Sequence, residues 1–172
     1  MVRDREPLTV GIVVNPIAGI GGPAGMKGSD GVAVQKQAVE RGGLPRSALR
    51  MSGALRHLSD VGDSVRVICG PGSMGMDSCE QAGIAATALD MSIGAETIAD
   101  DTRTATQQLL ALGIDVLLFS GGDGTARDVL DVIPEDFPVL GVPAGVKMHS
   151  GVFAISPVAA GELLVRIVRG QV

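Results

Sequence analysis

The sequence predicts a three-layer α/β/α domain on a mainly parallel sheet, from three observations. Short β-branched runs that read as buried strands alternate with segments of helical period. The strand runs end in glycine-rich turns, and the chain has 25 glycines with no tyrosine or tryptophan, a balance that suggests tight strand-to-helix turns and close backbone approaches. At 172 residues and 45% hydrophobic content, the chain is one domain long and can fill a single core.

Residues 8–14 form the first run, broken by Asn15-Pro16. A long loop follows, with six glycines between positions 19 and 31. Helices are expected over 32–41 and 47–58, then a strand over 64–69 that runs into Gly70-Pro71-Gly72-Ser73. A short helix over 77–82 and a weak strand over 85–89 come next. Thr97 and Asp100 have the spacing of a capping box, opening a helix with Ile98, Thr102, Ala105, Leu109 and Leu112 on one face. That helix should stop at Gly113, before a strand over 114–119. Ala126, Val129, Leu130 and Ile133 then fall at i, i+3, i+4 and i+7, in a helix ended by Pro134. A strand over 138–142 and a helix over 156–169, with Pro157 in its first turn, complete the alternation. In a parallel sheet the loops after Val14, Cys69, Phe119 and Val142 would share one edge, where ligands gather.

The net charge of −5, with no block of basic residues, gives no electrostatic basis for a nucleic-acid or anionic-membrane surface. Apolar runs fall short of the roughly 18 residues of a membrane span. Met1 leads into the charged Arg3-Asp4-Arg5-Glu6, so no signal peptide is expected and a cytoplasmic location follows. Cys69 and Cys79 lack metal-site spacing and read as reduced packing residues.

Gly121-Gly122-Asp123-Gly124-Thr125 stands between a buried strand and an amphipathic helix, where glycines let a phosphate approach and the helix N-terminus favours negative charge. An aspartate there would repel phosphate unless it holds Mg²⁺ or accepts the proton of an attacking hydroxyl. The alternative is a simple Asp-Gly turn, with Asp123 or Thr125 as a helix cap. Asn15 either contacts phosphate or ribose or closes an Asx-turn with Pro16. Lys147 and His149 either face a phosphate or ribose or are merely exposed. The same choice between ligand contact and plain loop holds for Lys27 in the 19–31 loop and for residues 70–73. Gly19, Gly21 and Ala24 match a relaxed dinucleotide fingerprint, but residues 15–18 separate it from its strand and Pro23 breaks the helix it should open. His57 is expected at the surface or core edge.

Asn15-Pro16, the Gly121 to Thr125 motif and the 141–153 segment, in that order, resemble the ATP-NAD kinase superfamily. The closest branch is that of the predicted ATP-NAD kinases related to the acetoin-catabolism X protein. The resemblance covers nearly the whole chain and implies a Rossmann-like fold. It also implies Asp123 as proton acceptor for the NAD 2'-hydroxyl, and Gly121, Gly122, Gly124 and Thr125 along nucleotide phosphates. Asn15, Lys147 and His149 join the candidate binding residues. ATP (or polyphosphate) and NAD are the implied substrates, and Mg²⁺ would bridge the donor phosphates, with no protein metal ligand assigned.

Lipid kinases share the glycine motif but typically show P-x-G-T-x-N later, where this chain has residues 143–148, and that difference favours NAD. Many NAD kinases carry N-x-G-x-x-G-F at that loop, a form from which Pro143, Gly145 and His149 depart. The superfamily's second, β-rich domain is expected to be absent from residues 1–172, making the chain a fragment or a short relative. Two other readings stand beside the kinase: a non-catalytic nucleotide-binding module, and a lipid (diacylglycerol or sphingosine) kinase-like domain. Small-molecule nucleotides are the expected partners, with homo-oligomers common in the superfamily.

Overall fold

A computed structural model describes residues 6–20, 45–145 and 148–172. The expected helix over 32–41, most of the 19–31 loop with Lys27, and Lys147 lie outside the described residues. Five strands form one parallel sheet: β1 (Leu8–Val14), β2 (Val65–Cys69), β3 (Thr87–Ala88), β4 (Val116–Gly121) and β5 (Val139–Pro143). Their spatial order is β3-β2-β1-β4-β5. The chain thus builds outward from β1 in one direction and then returns to build in the other. The reversal falls between β1 and β4, the switch point where open α/β sheets bind ligands.

Helices α1 (Ser47–Leu55), α2 (Met76–Ala82), α3 (Ala99–Ala111), α4 (Asp123–Leu130) and α5 (Pro157–Val168) cover both faces. Period-two alternation along the strands divides the core in two. Val10, Ile12, Val14 and Leu118 pack with Met51 and Leu55 of α1 and Leu164 of α5. On the other face, Val13, Leu117 and Phe119 pack with Leu109 of α3 and Val129 of α4. All six residues of β4 are buried, as expected of a central parallel strand covered on both faces. This is a Rossmann-like α/β/α domain. Among the described residues no helix is long and apolar enough to cross a membrane.

Several local readings shift. The first helix ends at Leu55 and continues as a 3-10 turn over Arg56–Asp60, while Ser64 belongs to a 3-10 turn before β2. Helix α3 begins one residue later than the Thr97 and Asp100 spacing predicts. Its reaching-back carboxylate is Asp101, which accepts from the Ile98 N–H at 2.8 Å. Asp100 is thereby released to pair with Arg103. Thr102, Ala105 and Leu109 are buried, but Ile98 and Leu112, the capping residues at the two ends of α3, are exposed. Leu130 is exposed and Ile133 falls beyond the end of α4. Gly113 does end α3, with φ of +75°.

The Gly70 to Ser73 segment leads into a 3-10 turn over Gly72–Met74. Gly70 N–H donates to the Ile12 carbonyl at 3.0 Å, and the amides of Met74, Gly75 and Met76 donate to carbonyls within the same turn. Cys69 and Cys79 are both buried free thiols within the core. His57 sits at the core edge, packed where α1 and α5 cross at Gly161.

That crossing gives a test with opposed effects. Gly161→Ala should gain helix propensity of up to about 1 kcal/mol. Its new methyl, however, would overlap the Ala54 carbonyl oxygen, a backbone atom with no rotamer to yield. Overpacking of this kind costs about 1–3 kcal/mol, so a net loss of about 1 kcal/mol is expected in urea unfolding. A stabilised variant would contradict the close helix crossing.

Candidate phosphate site at the sheet switch point

Register brings the strand ends together. Val14 pairs with Ser120, and Ser120 and Gly121 pair with Val142 and Pro143. The ladder then runs one step past the strands. Asn15 N–H donates to the Ser120 carbonyl at 2.9 Å, and Ala144 N–H to the Gly121 carbonyl at 3.1 Å. Three chain segments therefore leave the sheet side by side.

Asn15 engages both the oxygen and the nitrogen of its side-chain amide. Its Oδ1 accepts from Ile17 N–H at 3.3 Å, closing the expected Asx-turn, and its Nδ2 donates to Thr125 Oγ1 at 3.0 Å across the switch point. Its carbonyl accepts from Ser47 Oγ, while Ser120 Oγ donates to the Ser47 carbonyl at 3.0 Å. The start of α1 is thus tied to the ends of both β1 and β4. Thr125 is buried, in the first turn of α4.

The glycines of the motif have different physical reasons. A Cβ on Gly121 would collide with the Thr125 side chain, so β4 can pass into α4 here only with glycine. Gly122 is the extended residue before α4, and a Cβ there would meet nothing within 4 Å among the described residues. Gly124 is half-buried in the first turn. The helical ladder begins with Ala126 N–H donating to the Gly122 carbonyl at 3.0 Å, so the amides of residues 123–125 have no acceptor within the helix. Such amides, with the helix dipole behind them, attract anions.

Asp123, half-buried, is held by the loop after β5. That loop is turned back by a parallel bridge: Gly141 N–H donates to the Val152 carbonyl and Ala154 N–H to the Gly141 carbonyl, each at 2.9 Å. Phe153 packs edge-on against Phe119 with ring centroids 5.3 Å apart, and a Cβ on Gly141 would lie 2.5 Å from the Phe153 ring. With residues 152–154 fixed in this way, Ser150 and His149 reach Asp123. Ser150 donates through Oγ at 2.7 Å and N–H at 3.0 Å, and His149 donates through its N–H at 3.1–3.2 Å. The Ser150 hydroxyl holds the Asp123 carboxyl below the usual aspartate range, against a smaller opposing effect of burial, with the two amides and the His149 charge adding in the same direction. Asp123 is therefore an anion at neutral pH.

Behind the site, Arg103 of α3 binds Asp128 of α4 at 2.6 Å and Asp131 just beyond it at 3.2 Å, with Asp100 at 2.8 Å. This network fixes the body of α4 against α3. Among the described residues no group of three or more His, Cys, Asp or Glu could hold a metal ion. A Mg²⁺ ion carried on donor phosphates keeps phosphate oxygens and water as its ligands and needs no dedicated protein cage.

The expected candidates Asn15, Gly121, Gly122, Asp123, Gly124, Thr125 and His149 are thus gathered at one edge, His149 through its backbone and with its side chain exposed. The residues the sequence reading missed are Ser150, Ser47 and Ser120. Serine is too common in loops for type alone to single them out, and only the return of residues 152–154 to β5 shows what Ser150 reaches.

An α/β domain with a helix N-terminus and glycine backbone at its switch point has the arrangement that phosphate-binding sites of open sheets use. Residues 10–172 match the family model of the ATP-NAD kinase N-terminal domain, and the chain belongs to that family, one of kinase-type phosphotransferases. No curated protein is similar enough to the chain to supply an individual relative.

The bonds to Asp123 set a pH dependence. A carboxyl whose value is depressed on folding contributes stability that is complete above its ordinary value of 3.8 and lost as pH falls through the depressed folded value. In urea unfolding, the stability difference between the wild type and Asp123→Asn should be level near neutrality and close below about pH 4. A difference that widened in acid would contradict the hydrogen-bonded anion.

Proposed function

We propose that this domain is the nucleotide-phosphate half of a kinase that transfers phosphate from ATP, or from polyphosphate, to the 2'-hydroxyl of NAD, giving NADP. The observation that carries the reading is the ionised Asp123 carboxylate on the first turn of α4, beside the open backbone at Gly122. The family membership supports it.

In this reading the amides of residues 123–125 and the backbone at Gly122 receive donor or acceptor phosphate, while Asp123 accepts the proton of the attacking ribose hydroxyl. A strongly basic carboxylate is not required. In phosphoryl transfer most catalysis comes from positioning and charge stabilisation, and an aspartate that receives the proton as the new bond forms is sufficient. When bound, Mg²⁺ on the donor phosphates neutralises their charge. Thr125 and Asn15 keep the β4-to-α4 turn in register with β1 through their mutual hydrogen bond. His149 brings its exposed side chain to the loop beside Asp123, where an imidazole can hydrogen-bond phosphate or ribose oxygens.

The test uses the longest natural form, incubated with NAD, Mg²⁺ and either ATP or polyphosphate, following NADP. Wild type should produce NADP, and Asp123→Asn should lower the rate about 100-fold or more, the usual contribution of a proton acceptor. Absence of NADP with wild type, or an unchanged rate in the variant, would remove the catalytic assignment. ATP binding without turnover would support a nucleotide-binding module instead.

A further inference from the structure

We propose that Ser150 is the positioning residue for Asp123, occupying carboxylate oxygen Oδ1 so that Oδ2 is left to take the proton of the acceptor hydroxyl. The inference rests on the kinase reading above and assigns the two oxygens of its proton acceptor different tasks.

The hydrogen bonds to Asp123 are unevenly divided. Oδ1 accepts from Ser150 Oγ at 2.7 Å, from Ser150 N–H at 3.0 Å and from one branch of the His149 N–H at 3.2 Å. Among the described residues, Oδ2 receives only the other branch of that N–H, at 3.1 Å. A carboxylate oxygen has two lone-pair positions, so Oδ1 is filled and Oδ2 keeps capacity for one further donor. The incoming hydroxyl is such a donor.

The fold explains why the arrangement is fixed. A first-turn aspartate can rotate toward the amides of its own helix, and three donors on one oxygen oppose that rotation. Ser150 in turn stands two residues before Val152, whose carbonyl is bonded to Gly141 at the β5 edge. Phe153 closes the anchor against Phe119 in the core. The orientation of Asp123 is therefore inherited from the sheet through the returning segment.

In the step, the O–H bond of the acceptor hydroxyl breaks, its oxygen bonds the transferred phosphorus, and its proton passes to Oδ2. The phosphorus–oxygen bond to the donor breaks, and its electron pair leaves with the nucleoside diphosphate or shortened polyphosphate. Ser150 keeps its own proton, donated to Oδ1 throughout. Its role in the step is exerted through its bonds to Asp123.

Ser150→Ala and Ser150→Thr separate positioning from a merely structural role. In the longest natural form, NADP formation should show kcat lowered about tenfold in Ser150→Ala, the effect of one lost hydrogen bond to a charged group, with KM for NAD within about twofold. Ser150→Thr, which keeps the hydroxyl, should recover kcat. In the 172-residue chain, ¹³C NMR of the Asp123 carboxyl should show its titration midpoint moved up in Ser150→Ala and restored in Ser150→Thr. Wild-type signal dispersion would show that each variant is folded.

If wild type makes no NADP, the kinase reading fails by itself and the NMR series decides the hydrogen-bonding role. An unmoved midpoint in a folded Ser150→Ala, or a kcat equal to wild type, would overturn the inference. So would a loss that Ser150→Thr shares in full.

Discussion

The seat of β4 between β1 and β5 is the constraint from which the candidate site follows. Two parallel ladders align Val14, Ser120 and Val142, and each extends one hydrogen bond past the strand ends, to Asn15 and to Ala144. Residues more than a hundred positions apart are thereby set side by side. The Asn15 to Thr125 bond, the helix start at Asp123 and the loop carrying Ser150 all hang from that edge. A slip of one residue in either ladder would turn the alternating core faces inside out, so burial on both sides of β4 protects the register.

Packing and ligand access make separable demands on the glycines at this edge. Gly121 is required by Thr125, Gly141 by Phe153, and Gly19, with φ of +82°, by the Ala144 carbonyl against which it lies. At Gly19 the demand comes from backbone atoms, whereas at Gly121 and Gly141 it comes from the Thr125 and Phe153 side chains. Gly122 is different because nothing in the described structure fills the space beside it. Of the consecutive glycines, the first is held by contact with Thr125 and the second has no such contact among the described residues. A glycine motif read from sequence alone merges these roles.

Much of the architecture was legible because strand and helix periods are local properties. The buried runs at β1, β4 and β5, the Gly113 stop and the Ser156 start, whose hydroxyl accepts from Ala159 N–H at 3.1 Å, needed no tertiary information. The exposed ends of α3 were misread for a physical reason. Helical period tells which residues share a face, but not where the helix itself ends, and Ile98 and Leu112 are its exposed capping residues. The cap falls at Ile98 and Asp101, one residue after Thr97 and Asp100, and Asp100 instead pairs with Arg103, itself bound to Asp128 and Asp131 around α4. At the site, Asp123 and its glycines were legible as a strand-to-helix motif. Ser150 was not, because its contact depends on a bridge between Gly141 and Phe153 that no local pattern encodes.

The proposed function assigns both a residue and an acceptor, and the acceptor is the sharper claim. The most direct measurement is ³¹P NMR of the product formed by the longest natural form from NAD, ATP and Mg²⁺. A single new phosphomonoester on the adenosine ribose 2'-oxygen is the predicted result. ATP consumption with only inorganic phosphate released, or with phosphate at another position of the dinucleotide, would contradict the account.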